Sequence, residues 1–300
     1  MLTPQRRGPT SARLRWASAA GALVLAWSIG CTTLRPAPLP PDAPGAPPRF
    51  SDAALDRVLQ GFVDEHGRVD YTGLQQDPGD LDRAYAAIAA TSPDGDPERF
   101  PTTADRLAYW VNAYNAVVLR TVLQYYPIAS VGDVKAPLLL RWIDPHAGFF
   151  VFQEAVYGGH TTNLYFVENH IVRRRFRDPR IHFALNCASR GCPRLPRRVF
   201  SADLLDEQLN AAAVEFFAEA RNLRIDDATR TVHLSSILGW YASDFTGWYE
   251  ATHPGERGTL LKYAALYAPP ETAARLRVVP DFDVHFVPYD WRLNDQRGAP

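Results

Sequence analysis

Cysteine and lysine are both scarce in this 300-residue chain. It has three cysteines, 32 basic side chains (lysine and arginine together) and 33 acidic ones. Only Lys135 and Lys262 are lysines, so all the other basic residues are arginines. Such an arginine bias is typical of genomic base composition rather than of a phosphate site. We therefore interpret the arginines of 173–175 as the solvated face of a helix.

Basic tracts interleaved with aromatic residues are also missing, and the formal net charge is only −1. Proteins that bind nucleic acid carry a basic patch, so nucleic acid is not an expected partner. No cofactor is expected from the sequence. Aromatic residues are plentiful, with 7 Trp, 13 Tyr and 15 Phe, and they supply material for a large core.

A long uninterrupted apolar run is missing as well. The run at 17–30 follows an arginine-bearing start and is too short to span a bilayer, which is typical of a secretory signal. The letters "SIGC" end this run at Cys31 and resemble a lipobox. We predict a lipoprotein signal peptide at 1–30 and lipidation of Cys31. Thr32 and Thr33 follow without an Asp, which favours the outer membrane, facing the periplasm.

Seven prolines lie between Pro36 and Pro48 and disfavour helix and sheet. Residues 31–50 are accordingly predicted to be a proline-rich tether, and 51–300 a single domain. Its membrane contact would be the lipid anchor at Cys31.

Helix and strand signals are mixed along the domain. Helical stripes are predicted after Ser51, after Thr102, after Asn163 and after Ser201, and hairpins at 148–162 and 223–234. A late strand or extended segment is predicted at 281–294. This order predicts an α+β fold, with helices packed on a small mixed or antiparallel sheet.

Two asparagines, Asn112 and Asn115, fall on or beside the apolar stripe of the strongest predicted helix. A buried carboxamide must be hydrogen-bonded at both ends. Either the two side chains tie the helix to a neighbouring backbone, or they line a pocket and bind substrate.

The segment "IHFALNCASRGCPRL" at 181–195 contains the other two cysteines. If 181–186 is a strand, His182 and Cys187 are an odd number of residues apart and face opposite sides. His182 is then a poor base for Cys187. His160, His170 and His285 are the remaining candidates, with His285 favoured.

Three interpretations of the cysteine pair remain open. Cys187 and Cys192 form a disulfide or are inert buried thiols, Cys187 is a reactive nucleophile, or the pair binds a metal. Strand parity disfavours the metal site, and no metal is predicted.

Several motifs resemble, in order, the family known as domain of unknown function 547 (DUF547). They are "GRVDYTGL" at 67–74, "YWVNAYNAVVL" at 109–119, "LYFVENHIVRR" at 164–174, the cysteine segment, "LGWYASDF" at 238–245 and "YDWRLN" at 289–294. Glu168 and Asp244 are the acidic residues at the matching positions. The resemblance implies little about activity.

Two functions follow as hypotheses. The first is a thiol-dependent hydrolase or acyl-transfer enzyme with Cys187 as nucleophile, His285 as base, Asp290 orienting it and Glu168 in the site. The order of Cys before His along the chain also occurs in papain-like enzymes, so a distantly papain-like fold stays open. In those enzymes the cysteine begins a helix, whose dipole lowers the pKa of the thiol, whereas Gly191 and two prolines disfavour a helix after Cys187.

The second is a noncatalytic binding or scaffolding lipoprotein with a structural Cys187–Cys192 disulfide. In either case a small molecule or peptide is the expected ligand. The predicted ligand-contacting residues are Asn112, Asn115, His182 and Ser189.

Overall fold

The computed structural model describes residues 31–38, 49–137, 146–279 and 281–297. The predicted signal peptide at 1–30 lies outside these ranges. Among the described residues, no helix has the length and apolar character needed to cross a bilayer.

Helices and short strands alternate along the chain. The α-helices are α1 (Ala53–Phe62), α2 (Tyr71–Gln76), α3 (Gly79–Ala90), α4 (Thr103–Tyr125), α5 (Ala147–Phe150), α6 (Leu164–Phe166), α7 (Arg173–Phe176), α8 (Leu205–Ala218), α9 (Ser236–Trp240), α10 (Ala242–Thr252), α11 (Leu260–Tyr267) and α12 (Pro270–Val278). The strands are β1 (Thr32–Thr33), β2 (Gln153–Tyr157), β3 (His160–Asn163), β4 (Leu223–Asp226), β5 (Thr231–Ser235) and β6 (Asp283–Val287).

The long helix α4 lies at the centre of the larger hydrophobic core. It starts with a capping box. The Thr102 hydroxyl accepts a hydrogen bond from the Asp105 backbone N–H, and the Asp105 carboxylate accepts one from the Thr102 backbone N–H. It ends before Pro127, as the sequence predicts. Most of its middle is buried on every face, so α4 behaves as a core helix rather than a surface one.

The first sheet has the order β1–β2–β3. The predicted hairpin is confirmed, and its turn uses Gly158 and Gly159, which both have positive φ. Strand β1 adds to the other side of β2 in parallel. Leu34, just after β1, is buried in the core and accepts a hydrogen bond from Tyr85 Oη at 2.9 Å. The first residues of the predicted tether are thus attached to the folded body.

The second sheet has the order β4–β5–β6. The predicted β4–β5 hairpin is confirmed, and the late strand β6 pairs with β5 in parallel. A second hydrophobic cluster packs beside this sheet. Phe183, Phe217, Phe245 and Tyr263 are its largest buried members.

One local prediction is wrong: 181–186 is not a strand. Residues Pro179–Phe183 form a 3₁₀ turn, and an irregular loop follows. Pro179 occupies the first turn, where its missing N–H costs nothing, and the Asp178 carboxylate caps the turn by accepting from the Arg180 N–H at 2.9 Å. The fold class itself is confirmed, since helices pack with two small three-stranded mixed sheets in an α+β domain.

Candidate functional site

A cavity of about 470 Å³ lies beside the cysteine segment, and we call it the disulfide cavity. Helices α4, α6, α7 and α9, the π-helix Val167–Val172 between α6 and α7, the cysteine loop and the segment after β6 all contribute to it. Its lining residues are Tyr114, His146, Phe150, Val151, Tyr165, Glu168, Asn169, Arg173, His182, Leu185, Cys187, Cys192, Pro193, Ile237, Trp240, Tyr241, Tyr289 and Trp291.

Cys187 and Cys192 are joined by a disulfide, with their Cα atoms 6.2 Å apart. The two ends of this bridge differ in exposure, because Cys187 is partly exposed whereas Cys192 is buried. Tyr289 Oη lies 2.9 Å from Cys187 Sγ and 3.0 Å from Cys192 Sγ. The backbone N–H of Cys187 also points at Cys192 Sγ, at 2.9 Å.

The loop around the disulfide is fixed by side chains that bind its backbone. Asn186 donates to the Pro193 carbonyl and accepts from the Ala188 N–H, both at 2.8 Å. Gly191 leaves room for Tyr289, because a Cβ there would lie 2.9 Å from the tyrosine ring. The loop therefore has a defined shape without being part of a helix or sheet, and Cys187 does not begin a helix.

Asn112 and Asn115 are both buried, and both ends of each carboxamide bind backbone. Asn112 donates to the Phe200 carbonyl at 2.8 Å and accepts from its N–H at 3.0 Å. Asn115 donates to the Ala184 carbonyl at 3.0 Å and accepts from the Asn186 N–H at 2.9 Å. Neither lines the disulfide cavity, so the geometry supports the backbone-tying interpretation rather than contact with a substrate.

His182 lines the disulfide cavity together with Cys187, although the strand-parity argument had separated them. That argument fails because the segment is not a strand. His182 Nε2 lies 2.8 Å from Asp244 Oδ2, and its ring stacks on Tyr241 with centroids 3.9 Å apart. The other two histidines considered as bases, His160 and His170, do not line this cavity.

Arg173 binds the same carboxylate as His182. Its guanidinium donates to the two oxygens of Asp244 at 2.7 and 2.9 Å and lies over the Tyr241 ring. Burial alone would raise the pKa of Asp244, but its hydrogen bonds and charge interactions with His182 and Arg173 outweigh burial and lower that pKa. Asp244 therefore remains ionised and holds both partners in place.

The carboxylate of Glu168 is held by two tyrosine hydroxyls. Tyr241 Oη donates to Oε1 at 2.5 Å, and Tyr114 Oη donates to Oε2 at 3.2 Å. Burial, reinforced by the adjacent Glu168, raises the pKa of both tyrosines, so they stay protonated donors. Glu168 thus lines the cavity in a fixed orientation.

One wall of the disulfide cavity is a cluster of aromatic rings. The Tyr289 and Trp291 centroids lie 4.5 Å apart, and Trp240 lies 4.9 Å from Tyr289 and 5.9 Å from Trp291. His146 stacks on Trp291 with centroids 3.5 Å apart. Trp240 is 52% exposed, so this wall reaches the surface. Such a wall suits a ligand with an apolar or ring-containing group.

The structure does not bring Cys187, His285 and Asp290 together on the disulfide cavity. His285 is on β6, exposed, with its ring 5.5 Å from that of His233, and it does not line the disulfide cavity. The Asp290 carboxylate is bound by the Arg292 guanidinium instead, and this arginine lowers the pKa of Asp290. The side-chain direction of a strand near the terminus cannot be inferred without its partner strand.

Ser189 and Asp290 line a second cavity, of about 690 Å³, that also touches Cys192. Ser189 is buried, and its hydroxyl donates to the Cys187 carbonyl at 3.4 Å. Of the predicted site residues, Glu168, His182 and Cys187 line the disulfide cavity, Ser189 and Asp290 line the second one, and Cys192 borders both. Asn112, Asn115 and His285 line neither.

The sequence reasoning missed several residues of the disulfide cavity. Arg173 was interpreted as part of a solvated helix face. Trp240, Tyr241, Tyr289 and Trp291 were recognised only as members of the motifs at 238–245 and 289–294. The signal that could have marked them is the combination of polar and aromatic residues in the motifs "LGWYASDF" and "YDWRLN". In the described ranges, no group of three or more His, Cys, Asp or Glu side chains is arranged to hold a metal ion.

The chain was compared with known proteins. Neither the comparison with curated proteins nor that with solved structures gives a match. Residues 98–217, which include α4, Glu168, His182 and both cysteines of the disulfide, match the family described as "Protein of unknown function, DUF547", and this match supports the family indicated by the sequence motifs.

Proposed function

We propose that this protein is an envelope lipoprotein whose domain binds a small molecule or a short peptide in the disulfide cavity. The observation that carries this proposal is the wall of Trp240, Tyr289 and Trp291, which faces a cavity that also contains the fixed carboxylate of Glu168. A mostly apolar cavity with a few oriented polar groups is the usual form of a ligand site.

The polar groups suggest how such a ligand would be oriented. Glu168 accepts hydrogen bonds only, and two tyrosine hydroxyls already occupy one position on each of its oxygens. The remaining lone pairs favour a donor, such as an amine or amide N–H. Arg173 is occupied by Asp244, so it contributes less to binding an anion. A ligand with a ring and an N–H group fits both parts of the cavity.

Tryptophan fluorescence of the full chain tests this proposal directly, since two tryptophans line the cavity. The probes are free aromatic amino acids, their amides, and dipeptides that contain them. We expect saturable quenching by some of these probes. Replacing Trp240 with Ala should weaken binding at least tenfold, and Glu168→Gln should weaken it for the N–H-bearing probes.

Trp248→Phe is the matched control, because Trp248 packs against the second hydrophobic cluster. It should leave the affinity unchanged. If no probe gives saturable quenching, or if Trp240→Ala and Trp248→Phe bind equally, the proposed ligand site is wrong.

The proposed membrane attachment is through acylation of Cys31, which is exposed. Two or more acyl chains would give stable anchoring to the outer membrane on its periplasmic side. We expect metabolic labelling with a radioactive fatty acid in the wild type and none in Cys31→Ser, with Cys31→Ser recovered in the soluble envelope fraction. Equal labelling of the two proteins would contradict the proposed anchor.

A second candidate function is a thiol-dependent enzyme that acts after the disulfide is reduced. It is favoured by the location of Cys187 and His182 on one cavity, with Asp244 orienting the imidazole. Reduced protein should then react with iodoacetamide at Cys187 faster than a model thiol at neutral pH, and His182→Ala should remove most of this advantage. A Cys187 that alkylates no faster than in the unfolded chain would exclude this candidate.

A further inference from the structure

The disulfide has a built-in asymmetry between its two sulfurs. Cys187 is partly exposed and lines the disulfide cavity, whereas Cys192, which borders this cavity and the second one, is only 2% exposed. The Cys187 N–H is directed at Cys192 Sγ at 2.9 Å, whereas the single Tyr289 hydroxyl lies 2.9 Å from Cys187 Sγ and 3.0 Å from Cys192 Sγ. When the bond breaks toward Cys192, both donors are within reach of the new thiolate, and a charged sulfur gains most from such donors.

We infer that Cys187–Cys192 is an exchangeable disulfide that oxidises thiols entering the disulfide cavity, with Cys187 as the attacked sulfur and Cys192 as the leaving group. The substrate class is a thiol whose carrier fits against the aromatic wall. This activity does not require the noncatalytic ligand binding proposed above, and it differs from acyl transfer because no carbonyl is attacked.

The first step forms a mixed disulfide. The substrate thiol loses its proton to solvent, and the resulting thiolate forms a bond to Cys187 Sγ. The Cys187–Cys192 bond breaks, and its electron pair goes to Cys192 Sγ. The Cys187 N–H and the Tyr289 hydroxyl then donate to the new thiolate.

The second step completes the exchange. A second substrate thiolate attacks the substrate sulfur of the mixed disulfide, and the electron pair of that bond goes to Cys187 Sγ. The two protein thiolates take up the two protons that the substrates lost. Two substrate thiols are thereby oxidised to one disulfide, and the protein disulfide is reduced to two thiols.

Tyr289 is the positioning residue in this scheme. Its ring packs against Trp240 and Trp291, and the absence of a side chain at Gly191 lets it approach the sulfurs. Burial raises the pKa of Tyr289, so its hydroxyl keeps the proton that it donates to sulfur. A disulfide that only stabilised the fold would need no hydroxyl directed at both sulfurs.

The test uses the oxidised full chain and reduced glutathione as the probe. The reaction is stopped at intervals with N-ethylmaleimide, and peptides are analysed by mass spectrometry. We expect glutathione on Cys187 and maleimide on Cys192 in the same molecules. Tyr289→Phe should slow formation of the adduct about tenfold, since a donor to the developing thiolate is lost. It should also make the protein disulfide harder to reduce, by about 30 mV for each tenfold change in the equilibrium constant.

Tyr125→Phe is the matched control. The Tyr125 hydroxyl donates to Gln153 at 2.6 Å, and Tyr125 does not line the disulfide cavity. Three outcomes would overturn the inference: glutathione found mainly on Cys192, equal adduct rates in the two variants, or reduction of the wild type only as fast as it unfolds. If Tyr289→Phe fails to fold, the position of the adduct in the wild type still decides between exchange and a purely structural bridge.

Discussion

Replacing Asn115 with alanine is expected to destabilise the domain severely while leaving its surface unchanged. The Asn115 side chain is 3% exposed and bridges from α4 to the carbonyl of Ala184 and the N–H of Asn186, which are also buried. Alanine leaves both backbone groups without a partner. Each buried unsatisfied group costs about 1–3 kcal/mol, so we expect the free energy of unfolding to fall by about 2–6 kcal/mol. That is a large fraction of the roughly 5–15 kcal/mol typical of a whole domain.

Denaturant unfolding of the oxidised full chain, followed by far-UV circular dichroism, measures this loss. Gln124→Ala is the matched control, since it removes an exposed carboxamide from the same helix. It should change the free energy of unfolding by no more than about 0.5 kcal/mol. If Asn115→Ala costs under about 1 kcal/mol, or no more than Gln124→Ala, then the carboxamide does not hold the cysteine loop in the way argued above.

Three further changes test other parts of the structure. Gly67→Ala should lower the free energy of unfolding by about 2–5 kcal/mol in a denaturant titration. Residue 67 has a positive φ, and the new Cβ would lie 2.6 Å from the backbone nitrogen of Leu195. An unchanged denaturation midpoint would contradict this packing. Burial raises the pKa of Asp52 from 3.8 to about 7, so between these pH values the folded state binds a proton that the unfolded chain has lost. The wild type should therefore lose stability relative to Asp52→Asn as the pH rises from 3.8 to about 7. Parallel curves of stability against pH for the two proteins would refute this. Asp244→Asn should cost about 1.5–3 kcal/mol at pH 7, since Arg173 and His182 lose a charged acceptor. Because the pKa of Asp244 is lowered in the fold, that cost should persist down to pH 3.8 and shrink only below it, and a cost that vanishes by pH 5 would be inconsistent.

Local signals in the sequence predicted most of the helices and hairpins. The Thr102 cap and Pro127 bound α4, two glycines form the β2–β3 turn, and α8 follows Ser201 as the helical stripe predicts. These features depend on residues close together in the chain, whose effects are local. The pairing of β6 with β5 in parallel, and of β1 with β2, depends on distant residues and had no local signal.

The candidate site was only partly predictable for the same reason. Glu168, His182 and the two cysteines were identified from their residue types and motifs. The argument that placed His182 away from Cys187 failed, because it assumed a strand at 181–186 where Asp178 and Pro179 start a 3₁₀ turn. Tyr289 is 102 positions from Cys187 along the chain. Only the folded path of the carboxyl end brings its hydroxyl to the sulfurs.

The pairing of β1 with β2 has a consequence for how the protein would sit on a membrane. Cys31 directly precedes Thr32, which is already hydrogen-bonded to the sheet, and the chain extends by only about 3.3–3.6 Å per residue. An acylated Cys31 would therefore leave the domain almost no freedom to move away from the bilayer or to rotate against it. The proline-rich stretch would not lengthen that reach, because Leu34 before it and Phe50 after it both pack on the same core. The domain would rest on the lipid surface with the sheet edge at β1 facing the bilayer, held in one orientation and not free at the end of a flexible tether.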